Sequence, residues 1–185
     1  MGEPAARPAS YDDLLQVPEH LVAEIIHGVL HTHPRPAPKH ALSAAAIGGK
    51  LFDPFGTGKS GPGGWWTLDA PELHLSAHVL VPDLAGWRRE RMPALPDTAW
   101  FELAPDWICE VLSPPTAKTD RTLKMPLYAQ HGVAHLWLID PLLRTLEAYL
   151  LAEGHWTLDV TLKDDDPVRL DPFAAIEFPL GDLWA

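Results

Sequence analysis

A chain of 185 residues, 46% of them hydrophobic and 21% charged, can bury a core as a single domain over residues 1–185, which excludes disorder as its main state. Its formal net charge of −11 excludes indiscriminate attraction to nucleic acid, because the field of the whole molecule repels phosphate. A single Cys, Cys109, excludes an intrachain disulfide and a cysteine-based zinc site and fits a cytoplasmic location, while the start MGEPAARPAS has no secretory pattern and no apolar run reaches spanning length, so no membrane partner is expected.

Ser10 is placed to cap a short helix through about Gln16, with Asp12 and Asp13 at the positive end of its dipole and Pro18 limiting it. VAEIIHGVLH, residues 22–31, predicts two short strands about a His27-Gly28 turn. After the stiff connector HPRPAP, the stretch KHALSAAAIGGKLF has helical composition, with Leu42, Ala45, Ala46 and Leu51 expected inward. FGTGKSGPGG reads as loop. WWTLDAPELHLSAHVLVPDLAGW reads as a strand, a second strand ending at Leu75, a tight Ser76-Ala77 turn and a strand from Val79, together a meander.

Residues 88–105, with RRER and several prolines, are expected to be exposed loop. DWICEVL is the core of the pattern: Trp107, Cys109 and Val111 share one strand face, and Ile108, Glu110 and Leu112 the other. Both faces are apolar except for Glu110, as in a central strand covered on both sides, and a carboxylate there needs a cation or donors to compensate it. After SPPT a helix is expected to run to about Gln130 and stop at Gly132. VAHLWLID is another buried strand, and RTLEAYLL with HWTLDVTL forms an antiparallel pair about Glu153-Gly154. Strands in a row followed by strand–helix–strand indicate an α/β or α+β fold, a mixed β-sheet flanked by α-helices.

Several motifs favour plain structural roles. GTGKS lacks the first glycine of a phosphate-binding P-loop, since Asp53 stands five positions before Gly58. His31 and His33 share a strand face, but no third metal ligand follows them, and they are expected to be exposed. Ser113 is expected to cap the next helix, and the acidic run Asp164–Asp166 to be a solvated turn. The carboxylates differ. Asp83 ends the strand VLVPDL after Pro82, and if its strand neighbours that of Glu110, the two can converge on one hard cation that keeps several waters. Lys124, on the following helix, could then orient or deprotonate a water or balance charge on a phosphate. The structural alternative is a buried Glu–Lys pair, or a Glu110 satisfied by backbone amides.

The blocks AEIIHGVLH, PAPKHALSAAAIGGKL, PELHLSAHVLVPDLAGW and DWICEVLSPPTAKTDRTLKMPLYAQHGVAHLWLID, with the closing strands, resemble the Uma-type family of restriction-endonuclease-like proteins in the PD-(D/E)XK nuclease superfamily, from about Tyr11 to Trp184. The resemblance implies a restriction-endonuclease-like core and a Mg²⁺-dependent (or Mn²⁺-dependent) endonuclease acting on DNA as a homodimer. It implies Asp83 and Glu110 as metal ligands and catalytic residues, Glu24 as a further carboxylate near the metal, and Lys124 as the displaced lysine, because Leu112 occupies the usual lysine position. His40, Lys39, Lys118 and Arg121, together with Arg35 and the loop residues Arg88, Arg89 and Arg91, are the implied substrate contacts, and Asp120 falls one turn before Lys124 on the same face.

The chain departs from the family pattern at His27 and Val29, where acids are usual, and at Pro126. That proline removes an amide donor and biases Met125 away from helix, so Lys124 either points elsewhere, with Lys118 in reserve, or sits in a capping turn before a helix starting at Pro126. The rival expectation is a catalytically degenerate nuclease fold serving as a binding or scaffold module; hydrolysis of another phosphate ester would use the same ligands. Trp65 and Trp66 are candidates for an exposed interface.

Overall fold

The computed structural model describes residues 7–184. Helix α1, Tyr11–Leu15, starts on a Ser10 capping box in which the Ser10 hydroxyl accepts from Asp13 N–H and the Asp13 carboxylate accepts from Ser10 N–H. Strands β1 (Leu21–Ile26) and β2 (Val29–Pro34) pair antiparallel about His27-Gly28, both in the left-handed region at φ 51° and 74°. Helix α2, Pro38–Leu51, runs unbroken through Gly48-Gly49 into a π-turn at Phe52–Thr57. Its buried face is His40, Ser43, Ala44, Ile47 and Leu51. Leu42 and Ala45, expected inward, face out; their spacing was compatible with a helical face rotated by about one residue from the real one.

The remaining strands are β3 (Trp65–Asp69), β4 (Leu73–Leu75), β5 (His78–Leu80), β6 (Leu84–Arg88), β7 (Trp107–Val111), β8 (His135–Asp140), β9 (Thr145–Ala152) and β10 (His155–Lys163). The expected meander is not formed. The chain leaves a six-stranded sheet after β3, builds the β4–β5 hairpin in a four-stranded sheet with order β2-β1-β5-β4, and returns at β6. The six-stranded order is β10-β9-β8-β7-β6-β3, with β7 and β8 its parallel pair. Alternation along a segment marks a strand but not its partner, so the switch between sheets left no local trace.

The parallel pair is bridged by α3 (Ala117–Thr119), a π-helical turn at Asp120–Lys124, and α4 (Met125–Gln130). Met125 N–H donates to Asp120 O, five residues back. The widened turn absorbs Pro126, which sits in the first turn of α4, where a missing N–H costs least. One side of the six-stranded sheet packs Trp107, Cys109, Val111 and Trp137 with Ile47 and Leu51 of α2. Its other side packs Ile108, Leu136 and Leu138 against Ile26 and Leu80 of the smaller sheet and Leu127 of α4. Gly86 is required in this arrangement: a Cβ there would lie 3.2 Å from Trp107 and 3.3 Å from Trp65. Among the described residues no helix is long and apolar enough to cross a membrane.

Candidate functional site

Glu110 lies on β7 facing α4, and the residue is 2% exposed. The compensation it requires is present: Lys124 Nζ is 2.8 Å from Oε1, and the Tyr128 hydroxyl donates to the same oxygen at 2.6 Å. Lys124 thus points into the sheet end despite Pro126, and Lys118 is exposed. The ammonium also lies 3.0 Å from Glu24 Oε1 and 3.6 Å from Asp120 Oδ1, and it donates to Val81 O at 3.2 Å. Glu24, on β1 of the other sheet, accepts from Val81 N–H at 2.7 Å. The N–H and C=O of Val81 are therefore both tied to the Glu24–Lys124 pair.

Asp83 sits in the bend between β5 and β6. Register places Leu84 opposite Cys109, so Asp83 falls beside the Glu110 end of β7. Its Oδ2 accepts from Val111 N–H at 2.7 Å and its Oδ1 meets His40 Nε2 at 2.6 Å. His40 is buried, and its Nδ1 has no hydrogen-bond partner among the described residues. Asp83, Glu110, His40, Asp120 and Lys124 all line one cleft of about 820 Å³ between α2 and the Ser113–Lys124 segment.

Three carboxylates thus surround one ammonium, and Asp83 lines the same cleft. Burial raises the Glu110 pKa well above the ordinary carboxylate range; Lys124 pulls the other way, and the Asp120, Asp83 and Glu24 charges add to the rise. Burial likewise raises Asp120. Burial disfavours the Lys124 cation, but Glu110 and Glu24 more than reverse that, so its pKa stands well above 10.5. The donor set is hard oxygen with excess negative charge, which suits Mg²⁺ or Mn²⁺. Among the described residues no three His, Cys, Asp or Glu side chains form a ready-made metal cage. A Mg²⁺ ion held by one or two carboxylates and several waters needs none.

The other implied contacts are dispersed. Lys39 is exposed on α2, and Arg121 pairs with Glu147 at 2.9 Å. Arg35 donates to Glu19 O, Arg89 donates to Trp65 O and Gly56 O, and Arg91 pairs with Asp106. Arg88 lies over the Trp65 ring. The Arg88–Arg91 loop is thus largely spent on internal contacts. Trp65 is buried, and Trp66 is covered by Arg89 at 3.8 Å, so neither is a free interface residue.

His33, expected to be exposed, is half-buried, lines the cleft and lies 3.9 Å from Glu24 Oε2. Ser113 caps no helix through its side chain; its hydroxyl meets Thr116 at 2.9 Å. Asp53, in place of the P-loop glycine, accepts from the Thr57 and Ser60 hydroxyls and closes that loop on itself. Sequence reasoning gave Tyr128 no role, although it follows Lys124 by the four residues that place side chains on one helix face.

The family model Uma2, described as "Putative restriction endonuclease", matches residues 8–181. The crystal structure of a "putative nuclease belonging to DUF820" from Anabaena variabilis ATCC 29413 is similar, with a TM-score of 0.75 and 25% sequence identity, over 95% of this chain and 97% of that one. A search of curated proteins found no match.

Proposed function

This chain belongs to the Uma2 family, described as "Putative restriction endonuclease", and on that footing we propose that it hydrolyses DNA phosphodiester bonds at the floor of the cleft. The observation that carries the proposal is Glu110 inside the central strand, joined to Lys124 at 2.8 Å and lining the same cleft as Asp83. Asp83 and Glu110 would hold Mg²⁺ or Mn²⁺, with Glu24 assisting through water. The ion would polarise the phosphate and lower the pKa of a bound water.

The chain's own groups prepare that chemistry. His40 and the Val111 amide fix the Asp83 carboxylate. Tyr128 fixes Glu110. With its pKa raised, Lys124 stays protonated, which fits it to orient a water or offset phosphate charge rather than to take a proton. Purified protein should cut DNA with Mg²⁺ or Mn²⁺, and Asp83→Ala should lose about 10²- to 10³-fold in rate, the scale of removing one stabilising group. No cutting by the wild type, or equal cutting by the variant, defeats the proposal.

The rival binding or scaffold module is favoured by one observation: the loop arginines are tied up internally. Metal titration separates the readings. A rise in melting temperature with Mg²⁺ that vanishes in Glu110→Gln favours the nuclease, and indifference to metal favours the scaffold.

A further inference from the structure

We infer that the cleft takes an unpaired DNA strand rather than a duplex, a substrate class that rests on the nuclease reading above. At about 820 Å³ the cleft falls in the range of pockets that enclose small molecules, about 300–1,000 Å³. That space suits a few nucleotides of flexible chain; a duplex lies across a surface and is held by many phosphate contacts, about 6–10 in strongly salt-dependent cases. The lining here opposes such contacts. Its acids are Asp69, Asp83, Glu110 and Asp120, and its permanent cations are Arg35 and Lys124, the latter already shared among three carboxylates.

The cleft offers instead a wall for bases. Along α2, Ala37, Ala41, Ala45 and Gly49 line it at four-residue spacing, and the row ends on Phe52. Phe52 is 57% exposed, and its ring packs on Gly56 closely enough that a Cβ there would lie 3.2 Å from it. One side of the ring rests on backbone, and the rest is open for a base to stack. His40, 8% exposed, lines the same cleft with its Nε2 held on Asp83 Oδ1 at 2.6 Å. Prolines 36, 82, 114 and 115 stiffen the surround. Base–aromatic stacking is tolerant of sequence and is worth about 5- to 150-fold in affinity per base.

The test is fluorescence anisotropy in Ca²⁺ with a labelled 12-nucleotide single strand and a blunt hairpin of the same sequence, using the wild type, Phe52→Ala and Gly49→Leu. A Cβ at Gly49 meets nothing within 4 Å, so leucine narrows the cleft without disturbing the fold, and its melting temperature should equal or exceed that of the wild type. The expected result is a single strand bound at least tenfold tighter than the hairpin. Both variants should lose at least fivefold of that binding, and the logarithmic salt slope should be about −0.7, from Arg35, the lining cation not shared among carboxylates. Equal or tighter hairpin binding, or variants that bind as the wild type does, overturns the inference. Cleavage of blunt duplex with no single-strand preference would overturn it while leaving the nuclease reading intact. Single-strand binding lost in both variants, without cleavage in Mg²⁺ or Mn²⁺, would sustain it while defeating hydrolysis.

Discussion

At the residue scale the site is a charge problem solved by one lysine. Lys124→Met would strip the cation from a buried group of acids and should cost about 3–5 kcal/mol of unfolding free energy in denaturant titration. Glu110→Gln should do the reverse in metal-free buffer: the amide oxygen can still accept from Tyr128 and Lys124, while one of the crowded charges is gone, so the variant should melt higher than the wild type. The pH dependence follows from the direction of the shifts. Glu110 and Asp120 have folded pKa values above their ordinary ones, so the stability linked to each is complete below its ordinary value, about pH 4.5 for Glu110 and 3.8 for Asp120, and is lost as pH rises through the folded values. Acidifying from pH 7 towards 4.5 should therefore recover more stability through these groups in the wild type than in Glu110→Gln. An equal pH response in the two proteins would refute the assignment.

At the element scale, the helix after β7 carries the lesson about what the sequence discloses. Glu110 among apolar neighbours was legible because period-two alternation leaves few places for a carboxylate, and Asp83 because a proline before it breaks the ladder. The direction of Lys124 was not legible, since Pro126 argues against a regular helix and nothing local specifies that a π-turn will resolve the conflict. Deleting the exposed Thr122 from that turn should let the segment wind as ordinary α-helix and rotate Lys124 by about 100°. Metal-dependent cleavage should then fall to background while far-ultraviolet circular dichroism changes little. Retained cleavage would mean that the wide turn does not aim the lysine. The α2 face was legible only in kind, because Ala and Gly on both sides of a helix weaken the contrast between inward and outward positions.

At the scale of the whole molecule, the two-sheet plan was hidden from the sequence for a physical reason: the three-residue strands β4 and β5 carry too little pattern to choose a partner, and distant β1 captures them. The homodimer implied by the family resemblance belongs to this scale as well. Sedimentation velocity should give twice the chain mass of 20.4 kDa if cleavage requires two copies. A species at 20.4 kDa that still cuts would leave that pairing unnecessary. The placement of Glu24 in one sheet and Glu110 in the other, with Val81 and Lys124 linking them, has a consequence for the life history of the chain. Neither sheet can assemble the acidic cluster alone, so the cluster exists only in copies whose two sheets have docked.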